Sequence, residues 1–190
     1  MTAEPLTALV ERLESVRVLD GAASALGREI RELIPDGPPK DALSGRWLGH
    51  AVHPVLTDVP IGMWTSAVLL DWTGGRASRP AADRLLVVGL LAAGATVATG
   101  WSDWADTEQR NAAVRRVGLV HAATNATASA LMLGSCISRM RGARGHGRLL
   151  ALAGSAALGV GGWLGGHLSY SLGAGVGAHA PASGPAPARG

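Results

Sequence analysis

The sequence predicts an all-α protein: a four-helix transmembrane bundle preceded by an N-terminal amphipathic helical segment. Three observations predict it. Four apolar segments follow residue 46, at about 55–72, 85–104, 117–138 and 149–170. Only 16% of residues are charged, against about 25% in an average soluble domain, and mean hydropathy is +0.22. The charges are also segregated: Asp and Glu stop at Glu108, while Arg continues in short clusters, as when charges are confined to the loops of a membrane protein.

Taken in order, residues 1–46 read as a soluble or interfacial helical segment. Leu6, Leu9, Val10 and Leu13 recur at helical spacing, a second helix is predicted over 22–34, and "PDGPPKDALSG" breaks it. This pair is expected to lie on the membrane surface or the loops, or to bind a partner. Residues 47–172 form the four-helix membrane domain. A span takes about 20 residues; the last three segments meet that directly. The first is short and begins in the polar "HPVLTD". There Thr57 or Asp58 is expected to cap the helix, and Pro54 to hold His53 extended. Connections of about 10–13 residues make sequential helices antiparallel. Residues 173–190, rich in Gly, Ala and Pro, read as a disordered tail. The charged N-terminus has no apolar core and does not read as a signal peptide.

Close helix packing is expected from rows of small residues: Ala92, Thr96 and Gly100; Ala122, Ala126, Ala130, Gly134 and Ser138; Ala153, Ala157, Gly161 and Gly165, with Gly162 and Gly166 beside them. Trp47, Trp72, Trp101 and Trp104 fall near segment ends, as interfacial tryptophans do. The pI near 10 comes from arginines spread over several loops. That reads as a topology signal and not as a nucleic-acid surface. One cysteine, Cys136, excludes an intrachain disulfide and a Cys-x-x-Cys-His haem attachment. No hydrolase, transferase or nucleotide-binding motif is present.

Counting antiparallel crossings brings His50, His53, Asp58, Asp103, His121 and His167 to one end of the bundle. His146 lies at the other end and His179 in the tail. His121, Asn125 and Ser129 share a helix face. Ionisable groups at membrane depth point to function. The convergence of His53, His121 and His167 admits a metal or haem site, a hydrogen-bond network that locks the helices, or a protonation role. Asp58, Asn125 and Asp103 are candidate groups around them. Positive-inside counting slightly favours a cytoplasmic location for the His146 end.

"WLGHAVHPVLTDVPIGMWTSAVLLDW", "ATGWSDWADTE", "RRVGLVHAATNATA" and "GGWLGGHLSY" resemble a bacterial membrane family, domain of unknown function 2231, over about residues 40–177. The resemblance implies a four-helix, multi-pass protein of the plasma membrane. Some relatives carry a Rieske iron–sulphur domain, which implies electron transfer. With one cysteine here, a Rieske-type or other redox partner is expected in a separate chain. Similarity to four-helix b-type cytochromes implies His53, His121 and His167 as ligand positions for at most one haem b. The alternative is a non-catalytic scaffold with a polar packing network; a small transporter is a third reading, disfavoured by the absence of an inverted repeat.

Overall fold

Pro, Gly and Asn set most helix ends. In the computed structural model, which describes residues 4–174, helix α1 spans Glu4–Ser15, α2 Leu19–Leu33 and α3 Pro38–Ser44. The long helices are α4 His53–Thr73, α5 Arg79–Thr107, α6 Ala112–Met140 and α7 Arg144–Gly166. A π-helical turn, His167–Ser171, prolongs α7. The described residues are all-helical, without strands. His179 and most of the 173–190 tail lie outside them.

The segment 35–45 does end α2, but Pro38 and Pro39 then open α3, because proline loses no hydrogen bond in a first turn. The same principle corrects the entry of α4. The helix begins at His53 with Pro54 in its first turn, so His53 is helical and not extended. Thr57 caps nothing; its hydroxyl donates to His53 O (2.7 Å) inside the helix, and Asp58 is exposed. The genuine cap is Asn111, whose Oδ1 accepts from Ala113 N (2.9 Å) and Val114 N (3.3 Å) at the start of α6. Asn111→Ala is expected to cost about 1 kcal/mol, read as a lowered unfolding midpoint in detergent. The helices run further than their apolar cores, so the connections are short: residues 74–78, 108–111 and 141–143.

Helices α4–α7 form a closed ring. Each packs on its sequence neighbours and α4 closes on α7. Contact within the α4–α5 and α6–α7 hairpins is more extensive than between them. Trp64, Ala67, Leu86, Ala93, Met132 and Ala151 form the central core. Trp64 is buried and its indole N–H donates to Leu86 O (3.3 Å). Gly89 leaves room for the indole, which a Cβ there would strike.

The small-residue rows need correction. On α6 the packed positions are Gly118, His121, Asn125, Ala128, Met132, Ser135 and Arg139, while Ala126 and Ala130 are exposed. On α7 they are Gly147, Ala151, Gly154, Gly161 and Gly165, while Ala153 is exposed. Contacts alternate three and four residues apart. A strict four-residue row drifts around a 3.6-residue helix, whereas an average step of 3.5 stays on a partner that coils left-handedly around it.

Two helical stretches are long and apolar enough to cross a membrane: Arg79–Thr107, with an 18-residue run of mean hydropathy 1.7, and Arg144–Ser171, with one of 1.5. The expectation that all four qualify is met by these two. In α4 the polar start and two aspartates dilute the apolar run. In α6 the diluting residues are His121, Thr124, Asn125, Thr127 and Ser129.

Helices α1–α3 dock on the His53 end of the bundle. The α1 packs on α6, α2 on α5 and α6, and α3 on α5. Val10 enters a second cluster with Val114, Val117, Leu164 and Leu168, whereas Leu6 and Leu9 of the same stripe stay exposed. Ion pairs fix the dock. Arg116 forks onto Asp20 (2.8 and 2.6 Å) and also donates to Glu14 O (2.6 Å). Lys40 lies buried between Asp106 and Asp36; burial opposes its charge, but the two carboxylates outweigh it and raise its pKa.

The Arg116 guanidinium, against the cost of burial and aided by Arg115, holds the Asp20 carboxyl at about 2, below its usual 3.8. Released from the dock, Asp20 binds its proton at higher pH, so this contact is complete above pH 3.8 and lost as pH falls towards 2. The distance between spin labels on α2 and α6 should therefore be constant down to about pH 4 and lengthen below it.

Candidate functional site

His53 opens α4, and its ring lies on α5. Nδ1 is 2.9 Å from Thr96 O and 3.3 Å from Thr99 Oγ1. A carbonyl oxygen only accepts, so Nδ1 carries the proton and Nε2 keeps its lone pair. The ring can approach because position 100 is glycine; a Cβ there would sit 2.6 Å from His53 Cε1. Thr96 reinforces the approach by donating to Leu56 O of α4 (3.2 Å).

His121, about a third of the way along α6, is the counterpart on the second hairpin. Its Nδ1 donates to Gly161 O of α7 (2.9 Å), and Gly165 faces the ring, where a Cβ would lie 3.0 Å from His121 Cε1. Asn125 Nδ2 donates to His121 O (2.9 Å) and lies 3.2 Å from His121 Nε2. Gly161 also admits the Asn125 amide, 2.6 Å from where a Cβ would stand. The two imidazoles meet across the looser interface between hairpins, 6.5 Å between centroids and 81° between planes.

The structure thus brings together His53, His121 and Asn125. His167 is differently engaged: it lies on the π-helical turn and its Nε2 is 2.7 Å from Glu14 Oε1 of α1. Asp58 is exposed and hydrogen-bonds to neither imidazole. Asp103 lies against Ser44 of α3 and near Asp106, on the docking face. His50 Nδ1 is 3.3 Å from Ala51 O, ahead of the bundle.

Two buried charge centres were not anticipated. Glu108, 1% exposed, receives Arg31 (2.8 Å), with Arg115 at 3.9 Å. At the opposite end, Arg139 bridges Asp71 and Asp83 (2.9 Å to Asp83), and Arg144 bridges the same two (3.0 and 2.9 Å). This square draws one residue from each of the four helices. Its sequence signal was available: antiparallel topology puts Asp71, Asp83, Arg139 and Arg144 at one level, with opposite signs on facing helices.

The fold defines the class: an all-helical protein with two helices long and apolar enough to cross a membrane. The chain belongs to the family described as "Predicted membrane protein (DUF2231)", which matches residues 49–178. No curated protein and no solved structure matches it.

Fit to a haem iron rests on the donor set. Two imidazoles complete the axial positions of an iron whose other ligands are porphyrin nitrogens, but supply only half of a tetrahedral metal shell. Among the described residues no group of three or more His, Cys, Asp or Glu is placed to hold a metal ion. Each Nδ1 is tied to a backbone carbonyl, the bond that fixes and strengthens a liganding imidazole. The donor set fits a two-imidazole site, and His53 and His121 would be the residues to hold it.

Proposed function

We propose that this is a multi-pass protein of the plasma membrane in which α4–α7 all span the bilayer and His53 and His121 hold one haem b for electron transfer. The observation that carries this is the His53–His121 pair: rings from two hairpins 6.5 Å apart, each with Nδ1 committed to a carbonyl. His53 and His121 would be the residues that hold the iron, each ring oriented by its carbonyl bond. When bound, the haem supplies one-electron redox chemistry. The chain's own residues do the rest. Thr96 and Gly161 carbonyls keep each Nε2 unprotonated, Gly100 and Gly165 let the rings seat on backbone, and Asn125 restrains His121. Docked α1–α3 pack on α5 and α6 at this end of the ring. The redox partner is assigned to a separate chain.

The protein purified in detergent should show a Soret band, with an α band on reduction. His53→Ala and His121→Ala should each abolish both, while His167→Ala, which breaks the Glu14 pair, should keep them. A colourless protein that takes up no added haem discards the redox reading. The same carbonyl bonds then act as a polar lock within each hairpin, α4 on α5 and α6 on α7, the scaffold reading that the Thr96–Leu56 bond favours.

A further inference from the structure

The end of the ring opposite the histidines carries cations that the ion-pair square does not use. Between the α4–α5 turn and the start of α7 lies a cavity of about 210 Å³, lined by Arg76, Arg79, Arg144 and Arg148 against one carboxylate, Asp71. Asp71 is saturated by Arg139 and Arg144, and Arg144 is fully engaged by Asp71, Asp83 and Arg79 O. Arg76, Arg79 and Arg148 make no ion pair with any described residue. Arg148 Nε is buried without a hydrogen-bond partner, and its guanidinium stands 4.4 Å above the Trp72 ring.

Three uncompensated guanidinium groups around one hollow repel one another, and the backbone does not relieve them. Helices α5 and α7 both begin here without a side-chain cap, so their N–H ends add partial positive charge. An added Cβ at Gly145, on the lining, would meet nothing within 4 Å, which leaves the approach open. Guanidinium forks match the tetrahedral oxygens of a phosphate.

The flanks favour a lipid as its source. Trp72, 51% exposed, marks an interfacial level, and Leu69 and Leu149 are exposed beside it on α4 and α7. A free phosphate has no use for an apolar flank, whereas a headgroup that carries acyl chains does. Basic pockets between membrane helices take anionic headgroups in this way.

We propose that this cavity binds the phosphate of an anionic lipid headgroup, with Arg76, Arg79 and Arg148 as its ligands and the acyl chains along Leu69 and Leu149. The site is independent of the histidine pair. The test is binding of fluorescent phosphatidylglycerol, with phosphatidylcholine as comparator, to the full chain in non-ionic detergent. The wild type should prefer phosphatidylglycerol by at least about tenfold, equivalent to about 1.4 kcal/mol. The triple variant Arg76→Gln, Arg79→Gln, Arg148→Gln should lose that preference while it keeps the wild-type helical circular dichroism, since none of the three holds the fold by an ion pair and only the Arg148–Trp72 stacking is lost. Salt should weaken the wild-type preference, which decides the matter if the variant does not fold. Failure of millimolar inorganic phosphate to displace the lipid supports the lipid source. Complete displacement overturns that source and reassigns the cavity to free phosphate. Equal binding of the two lipids by the wild type, or an undiminished preference in the folded variant, overturns the proposal.

Discussion

Arg139→Ala should destabilise the bundle by about 3 kcal/mol, the low end of the cost of removing one partner from a buried ion pair. The Arg139 and Asp71 side chains are 4% and 2% exposed. Removal of the guanidinium leaves the Asp71 carboxylate buried with Arg144 alone, at 3.0 Å. It also frees the hydroxyl of Ser135, which accepts from Arg139 Nε (3.0 Å) and donates to Gly147 O (2.7 Å). The cost arises from an uncompensated charge, not from lost attraction, so the double variant Asp71→Leu, Arg139→Leu should recover most of it. Unfolding in mixed detergent micelles measures both. An Arg139→Ala variant within about 0.5 kcal/mol of wild type, the range of ordinary surface changes, would refute the square as a structural element.

Arg31→Ala should release the N-terminal helices, with a loss of about 2–3 kcal/mol for a charge-assisted hydrogen bond to a buried carboxylate. Arg31 gives one nitrogen to both Glu108 Oε1 (2.8 Å) and Ala105 O (3.0 Å). Glu108 Oε2 has no hydrogen-bond partner and Arg115 stands 3.9 Å from it, so Arg31 supplies the only hydrogen bond to the carboxylate among the described residues. Gly27 brings α2 close enough for it; a Cβ there would stand 2.6 Å from Glu108 Oε1. Proteolysis within residues 16–34 should accelerate in Arg31→Ala. Adding Glu108→Gln should slow it again, because the buried charge is then gone. If the second change gives no recovery, the two residues are not coupled.

The family and the existence of the long helices were legible because apolar runs and the string around His53 carry local signals. The meeting of His53 with His121 was legible too, since antiparallel crossings fix depth. The face each helix presents was not. A four-residue row and a 3.5-residue repeat share several positions, and in a chain this rich in Ala and Gly both seem filled. Only coordinates separated Gly154 and Ala151 from Ala153. The partners of the docked segment were also illegible. Glu14 meets His167 and Asp20 meets Arg116 across 153 and 96 residues, and separations of that size leave no periodicity to read. Depth and resemblance group His167 with His53 and His121, and in the structure it pairs with Glu14. Its carboxylate partner sits on a helix whose position the membrane segments do not fix.

The ion-pair square also imposes an order on biosynthesis. Asp71 leaves the ribosome 68 residues before Arg139, an interval of about 3–14 s at ordinary translation rates. Throughout it the nascent first hairpin holds a carboxylate whose guanidinium partners do not yet exist. On the proposed topology, in which all four helices span the bilayer, a chain stalled before residue 139 should remain with its insertion machinery, and release into lipid should await the second hairpin.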